Sequence, residues 1–242
     1  MPEGPSLVIL RDEVHSFTGK KIRAVSGNSK QDIARMKGQT VVAFRTWGKH
    51  FLICFKSFTV RIHFMLFGKY LINERRDTPA RLSLEFSKGE INFYTVSVQF
   101  IEEPLDMVYD WSADVMSPEW DPKRARAKLR AKPDMLACDA LLDQSIFSGV
   151  GNIIKNEVLF RIGVHPESRV GNLPVKKLNA LVKEAVHYSF QFLEWKKEYT
   201  LKKHWLAHTK RTCAHCGGPL QKKYLGITAR RSFFCENCQE KW

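Results

Sequence analysis

The chain changes its hydrophobic period once, and that change bounds the folds open to it. Between Lys21 and Glu103, short runs rich in β-branched and aromatic residues fall at 22–25, 40–46, 51–55, 59–64, 70–73, 82–86, 91–94 and 98–101. Alternation is clearest in Leu82-Ser-Leu-Glu-Phe86, and Ser87-Lys88-Gly89 supplies a turn to the next run. This pattern predicts an antiparallel β-sandwich or barrel. Ahead of it, residues 6–18 predict a flanking helix with Leu7, Leu10, Val14 and Phe17 on one face, stopped near Gly19. Beyond a linker-like stretch at 104–122 the period becomes helical, at 122–131, 135–144, 153–160 and 174–195. The expected class is thus α+β with several domains, and no internal repeat or low-complexity segment interrupts it.

The last forty residues follow a third rule. Cys213, Cys216, Cys235 and Cys238 form C-x2-C-x18-C-x2-C, the spacing of a four-cysteine zinc site closed by a β-hairpin. Gly217, Gly218 and Pro219 turn the chain after the first pair. Two disulfides in a secreted protein are the alternative, and the absence of a basic-then-apolar opening disfavours it. One structural Zn2+ per chain is expected. Cys54 and Cys138 lie in apolar surroundings and read as buried thiols.

Charge narrows the partner. Thirty-nine Lys and Arg against 25 Asp and Glu give +14, which favours a polyanion. Residues 200–242 hold nine Lys and Arg against Glu236 and Glu240. No apolar run reaches the roughly 18 residues of a membrane span. A cytosolic protein that meets DNA or RNA, with no membrane partner, is the expectation.

Five short stretches carry chemistry. Pro2 would bear a free secondary amine once Met1 is removed; an α-amino group has a pKa of about 8, well below that of lysine. Its adduct with an aldehyde-level carbon is an iminium that cannot neutralise by losing an N–H, so it stays an electron sink, and Glu3 beside it can move protons. An ordinary translation start is the alternative. Gly149-Val-Gly151-Asn152 lies between two helices, where glycines allow close backbone approach and Asn152 with helix-start amides can hold a phosphate; a plain interhelix turn is the alternative. Lys49, in Trp47-Gly48-Lys49-His50 at the opening of a strand, can contact phosphate or be merely solvated. Met65-Leu66-Phe67 puts apolar bulk before a glycine turn, as buried packing or as a wedge for stacked bases. Arg230 and Arg231 belong to the long loop of the cysteine hairpin, where phosphate contact and solvation are both open.

Taken together, these stretches resemble the formamidopyrimidine-DNA glycosylase and endonuclease VIII family of base-excision repair. The opening Met1-Pro2-Glu3-Gly4-Pro5, Gly48-Lys49, Leu141-Leu142-Asp143-Gln144 with Gly149-Val-Gly-Asn152, and the hairpin with Arg230 five residues before its third cysteine occur in that family's order. The resemblance is closer to the endonuclease VIII branch. It implies a catalytic β-sandwich domain at 1–112, a linker at 113–120, a helix–two-turn–helix domain at 121–205 and a zinc-finger hairpin at 206–242, with DNA in the cleft between sandwich and helices. It implies a bifunctional glycosylase and AP lyase working as a monomer on damaged double- or single-stranded DNA, by β,δ-elimination. Pro2 is then the nucleophile and Glu3 the proton-transfer residue, with Lys49, Asn152 and Arg230 on the phosphates. Met65, Leu66 and Phe67 fill the gap, Leu66 foremost, and Arg231 adds a DNA contact. The tripeptide and the short stretch between Trp195 and Cys213 favour oxidised pyrimidines over 8-oxoguanine or formamidopyrimidines. Ser6 departs from the family, standing where many relatives have a second glutamate. A non-catalytic DNA-binding protein on the same fold and a zinc-ribbon RNA-binding protein are the competing readings.

Overall fold

The computed structural model describes residues 2–242. The chain forms two compact units, one ending at Tyr109 and the other spanning Asp110–Trp242.

The first unit opens with α1 (Gly4–Glu13) and continues through β1 (Ala24–Ser26), β2 (Ala43–Trp47), β3 (His50–Cys54), β4 (Thr59–His63), β5 (Lys69–Ile72), β6 (Leu82–Glu85), β7 (Glu90–Tyr94) and β8 (Ser97–Ile101). Each run predicted from alternation becomes a strand. They assemble as two antiparallel sheets, in the orders β1-β6-β7-β5 and β2-β3-β4-β8. The inner faces meet through rings: Phe51 of β3 lies 6.1 Å from Phe93 of β7, and Phe64 lies 6.2 Å from the same ring. Both Phe51 and Phe93 are fully buried, so truncating either to alanine costs about 3–5 kcal/mol. Leu7 and Leu10 bury the inner face of α1, which packs on β2 and β3. The helix starts two residues before the apolar period does, with Pro5 in its first turn, where the missing N–H is harmless. It ends at Glu13, and 15–17 form a separate tight turn because Val14 leaves helical geometry. A single helical turn, α2 (Leu105–Val108), follows the last strand.

The second unit contains α3 (Pro122–Arg130), α4 (Ala137–Leu142), α5 (Asn152–Arg161), α6 (Val175–Lys197) and a hairpin of β9 (Gln221–Leu225) with β10 (Arg230–Phe234). Asp121 starts α3 by accepting the N–H groups of Lys123 and Arg124, and Pro122 supplies the favoured first residue. α5 is the hub, packed against α4, α6 and β10. Its Ile154 and Val158, one turn apart, meet Leu141, Leu181, Ala185 and Tyr188 in the core. A smaller core of Phe160, Ala207, Leu220 and Phe233 lies under the hairpin. Among the described residues, no helix is long and apolar enough to cross a membrane.

Candidate nucleic-acid interface and amine terminus

In the first unit, Pro2 is half-buried and Glu3, at 3% exposure, is buried. Glu3 sits in extended geometry at the start of α1, and its carbonyl accepts the Ser6 N–H at 2.8 Å. A carboxylate residue this buried at a chain terminus is uncommon without a specific role. Ser6 is half-buried. Met1 lies outside the described residues.

The sheet β2-β3-β4-β8 gathers three further groups at one end. Gly48 and Lys49 form the tight turn between β2 and β3, with Gly48 at φ +51°. Lys49 therefore belongs to a two-residue hairpin turn and not to the strand itself, and it is half-buried. His50 pairs with His63, the last residue of β4, so the Lys49 turn and the loop after β4 share that end. The loop is Phe64–Gly68, closed by the Gly68 N–H on the Phe64 carbonyl at 2.7 Å. It exposes Met65 by 49%, Leu66 by 52% and Phe67 by 78%, and three consecutive apolar side chains in water are not a packing solution. Met65 holds a left-handed φ of +49°, and its N–H points to His63 Nδ1 at 3.3 Å.

His63, which sequence reading did not select, thus joins the cation turn to the apolar loop. Its ring lies 5.7 Å from that of His50, which in turn packs on Trp47 and Tyr109. Burial pushes His50 down to about 3, helped by the charges of Arg61, His63 and Lys49. His63 is lowered for the same reason, with Lys49 and Arg61 adding to burial. The only sequence signal for His63 was a polar residue immediately before the apolar run that opens at Phe64.

In the second unit, the turn ahead of α5 is braced by Gln144. Its Nε2 donates to the carbonyls of Leu142 and Val150, and its Oε1 accepts the Gly149 N–H at 3.1 Å. Asp143 accepts from the Ser145 N–H and hydroxyl, completing the second turn. Gly149 has φ +96°, which a side chain resists. Asn152 is the first residue of α5, and its buried Oδ1 has no hydrogen-bond partner. The N-terminal amides of a ten-residue helix open beside it.

Three consecutive residues further along α5 are polar and buried, Lys155 and Asn156 at 1% exposure and Glu157 at 0%. Lys155 and Asn156 bind β10, while Glu157 accepts the N–H groups of Leu206, Ala207 and His208. Arg230 and Arg231 are exposed at the start of β10. At the hairpin tip, Asp139 of α4 accepts the Ile227 N–H at 3.0 Å, and a Cβ on Gly226 would come 2.2 Å from its carboxylate. Asn152 and the two arginines are thereby mounted on one framework within this unit. Pro2, Glu3, Lys49 and the apolar tripeptide belong to the other.

The four cysteines converge as the spacing predicts. Their sulfurs all lie within 4.8 Å of one another, with Cys213 and Cys238 at 3.8 Å and Cys216 and Cys235 at 3.5 Å. Tetrahedral thiolates at about 2.3 Å from one Zn2+ stand about 3.8 Å apart, so the cage fits that ion, whereas a disulfide needs about 2 Å. The residues present fit a structural zinc site.

A β-sandwich followed by a helix–two-turn–helix unit with a four-cysteine hairpin is a defined architecture. The family model for the formamidopyrimidine-DNA glycosylase N-terminal domain matches residues 1–98, and that for the H2TH domain of the same glycosylases matches residues 112–200. The chain belongs to the formamidopyrimidine-DNA glycosylase and endonuclease VIII family. It is 32% identical to endonuclease 8-like 3 of Xenopus laevis over 226 residues, covering 88% of this chain and 37% of that protein. The chain thus spans little more than a third of that relative's length. It is 27% identical to the formamidopyrimidine-DNA glycosylase of Shewanella denitrificans, covering all of both chains. Among solved structures, the Lactococcus lactis formamidopyrimidine-DNA glycosylase bound non-covalently to DNA containing an AP site superposes with a TM-score of 0.86 at 22% identity, over 99% of this chain and all of that one.

Proposed function

We propose that this protein is a DNA glycosylase with AP lyase activity, acting in base-excision repair through the amine of Pro2. The observation that carries the reading is Glu3, a buried carboxylate residue immediately beside half-buried Pro2 at the start of α1. The amine attacks C1′ of a damaged nucleotide, and the base departs with a proton delivered at the sugar. The resulting iminium acidifies the C2′ proton, so β-elimination and then δ-elimination cleave the strand. Glu3 moves these protons. Lys49 in the first unit, with Asn152 and Arg230 in the second, grips phosphates around the lesion, and Arg231 adds a further DNA contact. Met65, Leu66 and Phe67 enter the space left by the flipped nucleotide, with Leu66 the principal wedge.

Zn2+ held by Cys213, Cys216, Cys235 and Cys238 is structural in this reading, keeping the arginine-bearing hairpin folded. Oxidised pyrimidines are the favoured lesions. The exposed tripeptide supports that choice, as does the short path from Trp195 to Cys213, which leaves no long covering loop. Ser6 supplies no second carboxylate, so Glu3 carries the proton transfers at the sugar.

Borohydride trapping tests the reading. Protein with a mature Pro2 terminus, mixed with lesion-containing duplex and reductant, should give a covalent protein–DNA adduct. Protein that retains Met1 should bind the same duplex without forming one, because Pro2 nitrogen is then an amide. No adduct from the mature protein would leave a lesion-binding protein without catalysis.

A further inference from the structure

The buried polar triplet on α5 has a geometry that packing alone does not require. Asn156 is 1% exposed and uses both ends of its amide. Its Oδ1 accepts the Phe233 N–H at 3.1 Å, and its Nδ2 reaches the Arg231 carbonyl at 3.2 Å. The same Nδ2 donates to the Asn152 carbonyl at 2.8 Å and lies 3.2 Å from His208 Nδ1. Lys155, equally buried, donates to the Arg231 carbonyl at 3.1 Å and to Ser232 Oγ at 2.8 Å.

Arg231 and Phe233 are alternate residues on β10, whose other edge is paired to β9. Their main-chain groups on the free edge face one way, and a side-chain amide matches the resulting acceptor–donor pair as a neighbouring strand would. A slip of one residue would turn those groups away and leave a buried amide and a buried ammonium unsatisfied. The contact therefore fixes the register of β10 on α5. The same amide holds the main chain of Asn152. One side chain thus touches the residue at the start of α5 and the strand that begins with Arg230.

We infer that Asn156, seconded by Lys155, is a positioning residue that sets the Arg230–Arg231 strand against Asn152 so that both engage the phosphates of one lesion. The inference rests on the proposed function, in which Arg230 and Asn152 grip those phosphates. Asn156 itself does not touch the nucleic acid; it acts through Arg230.

A double-mutant cycle on the zinc-loaded full chain tests this, with an uncleavable abasic-site duplex and its undamaged counterpart as probes. Asn156→Ala should weaken binding to the abasic duplex by about tenfold, the loss carried by one buried polar anchor, while binding to undamaged duplex and zinc content hold. In an Arg230→Ala background, Asn156→Ala should cause no further loss. An equal loss in both backgrounds, or an equal loss on both duplexes, overturns the inference and leaves Asn156 a purely structural residue. Lys155→Met, which keeps the buried stem, runs through the same cycle and decides the question if Asn156→Ala loses zinc. Arg230→Ala alone separates the two levels: if it leaves abasic-site binding unchanged, the phosphate role of Arg230 fails first and the inference falls with it.

Discussion

Two glycines in the second unit share a backbone conformation and differ in what surrounds them, which makes them a calibrated pair. Gly226 at the hairpin tip and Gly217 beside the first cysteine pair both hold φ +73°. An alanine at either position takes on left-handed geometry at about 1 kcal/mol. At Gly217 nothing lies within 4 Å of the added Cβ, so the cost ends there. At Gly226 the Cβ would lie 2.2, 2.6 and 2.7 Å from three atoms of the Asp139 carboxylate, so the whole group must retreat. It then gives up the Ile227 N–H, held by both oxygens at 3.0 and 3.1 Å. Losing a hydrogen bond to a charged group costs about 1.5–3 kcal/mol. Gly226→Ala should therefore destabilise by about 2.5–4 kcal/mol and Gly217→Ala by about 1. Thermal unfolding of zinc-loaded protein, followed by circular dichroism, should separate their midpoints by about 6 °C. Equal midpoints would refute the reasoning, since they would mean that Asp139 swings aside freely and does not tether the fingertip.

Three further outcomes are expected. His50, pushed down to about 3 by burial, binds no proton in the folded state at pH 5, whereas the unfolded chain does, so stability falls as pH drops from 6.5. Urea midpoints should show a loss of up to about 2 kcal/mol between pH 7 and pH 5 that His50→Phe diminishes; an unchanged loss in the variant would assign it elsewhere. Arg230→Ala should lower the slope of log K against log salt for lesion duplex by about 1, measured by fluorescence anisotropy, and an unaltered slope would remove Arg230 from the phosphates. Chelation of zinc should abolish lesion-specific binding while leaving the circular dichroism of the first unit intact, and retained specificity would deny the hairpin its role.

Legibility in the sequence followed the physics of burial. The strands announced themselves because one face of each is apolar, and the hairpin because thiolates on one metal need fixed spacing. The helical stretch expected from residue 122 starts there in the structure, where Asp121 caps α3. Nothing local marks Lys155-Asn156-Glu157 as buried, since charged residues default to water. Lys155 and Asn156 find their partners on a strand edge some 75 residues later and Glu157 finds its own at 206–208, and no local pattern encodes that. His63 was hidden likewise, because only the pairing of β3 with β4 places it beside His50. Lys49 was assigned to a strand opening where Gly48 in fact turns the chain.

Glu157 implies an order of disassembly. Its fully buried carboxylate gathers three successive amide hydrogens, those of Leu206, Ala207 and His208, into an anion nest built from the protein's own chain. That nest owes nothing to zinc. Loss of the metal removes the cross-link between the two cysteine pairs, while the segment leading into the hairpin keeps its bonds to α5. In hydrogen exchange on zinc-free protein, the amides of 206–208 should stay protected longer than those of 221–234. A fingertip that melts on a fixed anchor refolds in place when metal returns, without a search for its docking site.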